Sequence, residues 1–223
     1  MDSIRIVSQY CERFDGSFWA EPANAISNFA FFMTAAGILW VLRYKGRRDL
    51  PVIGLSALIA CVGVASFLFH TRPTPITGAL DVLSITLFIL AVFFVAIMRL
   101  FALGMAGTGL VTAGFLGFCL MISRILGPTM GISTIYAGPL LSLFAIATAI
   151  APRNRKLAFH FVMTGLMFTL SVSFRIMDQP VCSWFPIGTH FMWHVLNAVV
   201  AYMLLRLVIH AQELRPFAPG HQT

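Results

Sequence analysis

Seven apolar runs, separated by short polar gaps, account for most of the chain. They cover 24–42, 52–69, 78–100, 103–123, 133–150, 157–177 and 191–209. Each is long enough to cross the ~30 Å hydrocarbon core of a bilayer as a helix, which takes roughly 17–25 residues. The third and fourth runs are separated only by residues 99–102, so that turn must be tight. Backbone polar groups in lipid need internal partners, and the runs lack the alternating pattern of barrel strands, so helices are predicted throughout. The expected fold is all-α: a seven-transmembrane helix bundle forming one domain over residues 1–210. The tail, residues 211–223, contains Pro216, Pro219 and Gly220 and is predicted to be disordered.

Composition and charge narrow the picture. Hydrophobic residues make up 59% of the chain and charged residues 10%, against roughly a quarter charged in a soluble domain. The net charge of +7 does not indicate a nucleic-acid partner, because the basic residues sit in gaps between apolar runs and not on one polar surface. They read as topology signals. One set of loops carries ten Lys and Arg residues and the other set five. By the positive-inside rule the C-terminus is cytoplasmic and the N-terminus lies outside. The first twenty residues lack a central apolar segment, so no cleavable signal is expected. Minimal loops suggest a multi-pass protein of a bacterial inner membrane, with the lipid bilayer around it and no obligate protein partner evident.

Polar residues at membrane depth are costly and usually functional. His70 ends the second run, Asp81 lies in the first turn of the third, and His190 and His194 open the seventh. In the predicted topology all four lie at the outer ends of their helices. His190 and His194, four apart, share one helix face, and two imidazoles so placed suit one metal ion. His70 supplies a third nitrogen. Three protein ligands and one open position make the arrangement of a catalytic zinc, with Asp81 at the same level to hold or deprotonate a water. Ser66, one turn before His70, has a hydroxyl able to donate to an oxyanion; it reads equally as a packing serine. Two histidines on one helix face cannot ligate opposite sides of a haem iron, so haem is a distant rival.

A second group, Glu12, Asp15, Glu21 and Asn24, gathers oxygen donors before and at the start of the first run. These suit a hard cation such as calcium and read equally as a solvated acidic segment. Cys11 and Cys182 both fall on the outer side, where an oxidising compartment permits a disulfide. Cys61 and Cys119 lie within runs and read as packing residues. Asp178, at the end of the sixth run, reads either as a support for the site or as an interfacial residue.

The chain resembles the alkaline ceramidase family, within the wider superfamily of seven-helix membrane hydrolases that includes the adiponectin and progestin receptors. The residues that carry the resemblance are Cys11-Glu12, the segment Ala20-Glu21-Pro22-Ala23-Asn24-Ala25-Ile26-Ser27-Asn28, Ser66 with His70 and then Asp81, Asp178 with Cys182, and His190 with His194. The resemblance implies zinc on His70, His190 and His194, proton transfer by Asp81 and oxyanion stabilisation by Ser66. It also implies a Cys11–Cys182 disulfide and calcium near Glu12, Glu21 and Asn24; the segment between Glu12 and Glu21 is shorter than the family's, with Asp15 in it as a compensating donor. The implied reaction is hydrolysis of the ceramide amide bond to a sphingoid base and a fatty acid. The chain departs from the pattern at Gln9-Tyr10, where the family has Asp-Trp, and at Val82, where it has Glu. Two alternatives stay open: zinc-dependent hydrolysis of another lipid ester or phospholipid, and a non-catalytic receptor-like protein with a structural zinc.

Overall fold

The computed structural model describes residues 10–213, with side chains throughout except at 128–132 and 213. Seven helical segments in this range are long and apolar enough to cross a membrane. The first is split at Asn28 into α1 (Pro22–Ser27) and α2 (Phe29–Tyr44). There follow α3 (Leu50–Thr71), α4 (Pro75–Phe101), α5 (Met105–Met130), α6 (Ala137–Ile150), α7 (Arg155–Val181) and α8 (His190–Glu213), with a 3₁₀ turn, Gly131–Tyr136, leading into α6. From residue 214 onward the expected tail lies outside the described residues.

Local chemistry sets the helix ends. Proline occupies the first turn of α1, α3 and α4, where its missing N–H is no loss. The Thr74 and Thr77 side chains cap α4 reciprocally. Asn154 accepts from the Leu157 N–H at the start of α7. At the other end of α4, Ala102 adopts a left-handed conformation, φ 54°, which makes the predicted tight reversal into α5. Asp49 does two jobs: it caps α3 through the Val52 N–H, and it receives both ends of the Arg99 guanidinium at 2.9 and 2.7 Å. Arg99 also donates to the Val208 carbonyl, so one buried ion pair joins α3, α4 and α8.

The helices close a ring in chain order, α2 beside α3 and α7 beside α8, with α8 returning against α2 and also touching α1, α3 and α4. Two apolar cores flank α8. One joins α2, α3, α4 and α8 through Ile38, Ile59, Val92 and Leu205. The other joins α4, α6, α7 and α8 through Ile97, Ile146, Phe161 and Trp193. The peripheral helix is α5, whose Leu110 and Leu120 are exposed, as a lipid-facing surface requires. Without a hydrophobic force between helices in lipid, close approach relies on small residues. Gly63 is one such contact: a Cβ there would meet the Asn28 carbonyl at 3.3 Å and the Phe31 Cβ at 3.2 Å. Gly138 is another, seated against Cys119. Cys61, by contrast, is exposed on the bundle's outer face and does not pack in the core.

Removing one partner of a buried ion pair strands the other. Asp49→Ala should destabilise the bundle by about 3–5 kcal/mol, read as a lowered thermal midpoint in detergent; an unchanged midpoint would show that the pair is not a structural tie.

Candidate functional site

The site begins with two helix termini. His70 sits in the last turn of α3, and His190 and His194 occupy the first two turns of α8. The start of α8 is fixed from behind by Asp178 on α7. One carboxylate oxygen accepts from the Thr189 and His190 N–H groups at 2.8 and 2.9 Å, and the other accepts from the Cys11 N–H at 3.1 Å. Gly188 has φ +67°, and a Cβ there would lie 2.2 Å from Asp178 Oδ1, so only glycine lets the chain turn here against the carboxylate. The Cys11–Cys182 disulfide, with Cα atoms 5.2 Å apart, closes the same corner.

Three imidazoles meet at this end of the bundle. Their ring centroids are 4.6 to 5.2 Å apart, and one nitrogen from each lies within 4.8 Å of the others. All three are buried, His70 and His190 at 1% exposure and His194 at 2%. Tyr10 stacks on the His190 ring, centroids 3.8 Å apart.

The outer nitrogens are spoken for. His70 Nδ1 lies 2.5 Å from Glu21 Oε2. His194 Nδ1 lies 2.8 Å from the Ser27 hydroxyl. Ser27 has one proton, which it donates to the Asn24 carbonyl at 2.8 Å, so its oxygen accepts from His194 Nδ1–H. Both rings are thereby held in the tautomer that leaves Nε2 with a free lone pair. His70 Nε2 is buried with no hydrogen-bond partner, and so are His190 Nδ1 and Asp81 Oδ1. Buried polar atoms are rarely left alone in this way. Three imidazole nitrogens gathered within 4.8 Å, two of the rings carrying a nitrogen without a partner, with a carboxylate beside them, are a donor set that would suit a metal ion of the zinc class.

Asp81 and Ser66 stand on the wall of a cavity of about 500 Å³ that also takes in His190 and His194. Asp81 is within side-chain reach of Ser66 and within charge–charge reach of His70 and Arg175. From the histidines the cavity runs down the bundle between apolar side chains, including Val62, Phe88, Val92 and Leu143, as far as Val208 on α8. Val208 lies about 21 Å beyond His194 along the helix at 1.5 Å per residue. The space is therefore polar at one end and apolar for most of its length.

The N-terminal oxygen donors have other tasks. Glu12 caps α1, its two oxygens accepting from the Ala23 and Asn24 N–H groups at 2.6 and 2.8 Å. Burial pushes its carboxyl above the ordinary value, against those two hydrogen bonds. Glu21 is buried, at 2% exposure. It binds Arg13 through one oxygen and His70 and Asn24 through the other. Burial alone would raise its carboxyl, but His70, Arg13 and Asn24 together hold it below the usual range. Asp15 is exposed and accepts from the Ser17 N–H, which holds its carboxyl down. Of these donors, Asn24 Oδ1 is buried without a partner. The Arg13 guanidinium fills the middle of the group, donating also to the Asp15 and His70 carbonyls. The Arg13 guanidinium already supplies a positive charge to Glu21 among these oxygens, which disfavours a calcium ion there, while Asn24 Oδ1 stays without a partner. Arg13, Ser27, Tyr10 and Arg175 were not singled out by spacing or depth. Their positions depend on how the segment before α1 folds back over the helix ends.

Fold and site together define a multi-pass membrane protein with a buried three-histidine group able to hold a metal ion. Residues 8–216 match the model of the family described as Ceramidase, and the chain belongs to that family. Its members' activity makes this a hydrolase acting on amide bonds of lipids. A search of curated protein sequences finds no match.

The Arg13–Glu21–His70 chain makes a prediction. Partners behind a metal ligand are worth about 10–100-fold in metal affinity. Arg13→Ala should weaken zinc binding by that factor in a competition assay, and calcium should leave the thermal midpoint of the wild-type protein unmoved. A calcium-dependent rise in the wild-type midpoint would show that the guanidinium does not replace a divalent ion.

Proposed function

We propose that this chain is a zinc-dependent lipid amidase that hydrolyses the amide bond of ceramide or a ceramide-like lipid to a sphingoid base and a fatty acid. The observation that carries the proposal is the joining of two features: buried imidazole nitrogens without partners, and an apolar cavity that starts at them and continues through the bundle. A receptor with a structural metal has no need of a carboxylate on the cavity wall beside that metal with one oxygen, Asp81 Oδ1, left without a partner.

Bound by His70, His190 and His194, zinc would supply Lewis-acid polarisation of the amide carbonyl and a lowered pKa for water, toward ~7. The other tasks fall to the chain. Asp81 Oδ1 accepts the proton of the attacking water and returns it to the leaving nitrogen, so that the amine departs neutral. The Ser66 hydroxyl donates to the carbonyl oxygen as negative charge develops there. Glu21 and Ser27 keep the His70 and His194 rings from turning. The apolar length of the cavity holds one lipid chain and keeps water from the reacting bond. Ala79 and Val82 on α4 line the cavity and are also exposed, which supports entry of a two-tailed lipid sideways beside α4. The uneven distribution of Lys and Arg supports a topology with the histidine end toward the outer face of the membrane and the C-terminus cytoplasmic.

Asp81→Asn tests the assignment of roles. Loss of a positioned acid–base group costs about 10²–10⁴-fold. The variant should lose ceramide turnover by that factor while retaining zinc. Loss of zinc with no separate effect on turnover per bound metal would make Asp81 a ligand-positioning group; undiminished turnover would remove it from the chemistry. An amine product separates amide cleavage from ester cleavage in the same assay.

A further inference from the structure

One charge in the cavity has no role in the scheme above. Arg175, near the C-terminal end of α7, lines the cavity with Asp81, His190 and His194. Its guanidinium carbon is 6.0 Å from the Tyr10 ring, 5.5 Å from Tyr136 and 5.4 Å from Trp193. These rings hold the plane of the group by cation–π attraction, yet accept few of its five N–H bonds. Nη1 reaches the Tyr10 hydroxyl at 3.5 Å, the limit of a hydrogen bond, and Nε is buried with no partner. Among the described residues no carboxylate lies at ion-pair distance from it. The buried arginines among the described residues differ from the half-buried Arg175: Arg13 is paired with Glu21 and Arg99 with Asp49.

The local sum of charges points the same way. Arg13 and Glu21 cancel. Asp81 and Arg175 cancel at a distance, and a divalent ion on the histidines leaves the cavity mouth with a surplus of positive charge. An unpaired guanidinium inside a protein is expensive, and its planar fork matches a carboxylate in a bidentate way. Tyr10 stacks on His190 and touches Arg175, so a group held by Arg175 lies one aromatic ring away from the histidine site.

We infer that Arg175 is a binding residue for a lipid carboxylate at the polar end of the cavity. Two sources offer that chemistry. One is the fatty acid released by hydrolysis, which rests on the amidase reading. The other is an acidic headgroup on the amine side of the substrate, as in an N-acyl amino acid.

The test is equilibrium binding to metal-free protein in a neutral detergent, where no zinc competes for the carboxylate and no turnover is needed. Palmitate is compared with palmitamide, and N-palmitoylglycine with N-palmitoylethanolamine, on the wild type, Arg175→Gln and Arg175→Lys. A hydrogen-bonded charge pair predicts at least about a tenfold preference for the carboxylate member of a pair in the wild type. Arg175→Gln should abolish that preference while palmitamide still binds, and Arg175→Lys should keep part of it. Preference within the palmitate pair alone identifies the product as the ligand. Preference within the N-palmitoylglycine pair identifies an acidic substrate headgroup. Equal binding of charged and neutral members by the wild type, or a preference that survives Arg175→Gln, overturns the inference. If the zinc-loaded wild type fails to cleave ceramide, the amidase reading fails, but the binding result is untouched.

Discussion

The Glu21 carboxylate is the contact on which the site depends. Buried between the start of α1 and the end of α3, it holds His70 by one oxygen and Arg13 by the other. A lone carboxylate at this depth would be neutralised or expelled, because desolvation of a charge costs several kcal/mol. The guanidinium on one side and the imidazole on the other keep it ionised, and the ionised form orients His70 with Nε2 inward. The segment before α1 is therefore part of the site and not a flanking strand of chain: it delivers Arg13 to Glu21, Tyr10 to His190 and Cys11 to Cys182.

The same rule, that buried polar groups need partners, separates scaffold from site elsewhere. Asp49 with Arg99, Asp178 with the first N–H groups of α8, and Glu12 with those of α1 are all satisfied within the protein. Of the groups left unsatisfied, His190 Nδ1, Asp81 Oδ1 and Arg175 Nε belong to residues at the polar end of the cavity and His70 Nε2 lies beside them in the histidine group, while Asn24 Oδ1 and Asn28 Oδ1 lie at α1. In a low-dielectric interior such groups are destabilising unless something completes them. In the proposed scheme a metal ion would complete the imidazoles, a reacting water Asp81 and a lipid carboxylate Arg175.

Much of this was legible in the sequence because the membrane imposes a strong pattern. Runs of apolar residues marked the seven spans to within a few positions, and the tight reversal at residues 99–102 follows from the short gap alone. The break at Asn28 was not visible, since Asn24, Ser27 and Asn28 interrupt the apolar run without proline or glycine. His70, His190 and His194 were legible because charge-capable residues at helix ends are rare in a span and four-residue spacing fixes a common face. Arg13 and Arg175 were hidden by their type: in a membrane protein an arginine near a span end reads as a topology signal, and nothing in the local pattern says that it turns inward. In the acidic N-terminal group the oxygen count suggested calcium, and spacing could not show that Arg13, His70 and the α1 backbone also bond those oxygens.

The central claim is a zinc ion on three histidines that cleaves a lipid amide. Its most direct test is a metal count on purified wild type and His194→Ala, with release of fatty acid from ceramide measured on the same samples. The account predicts about one zinc per chain in the wild type, and loss of both metal and hydrolysis in the variant. Ceramide hydrolysis by metal-free wild type, or wild type that holds no zinc after metal loading, would contradict it.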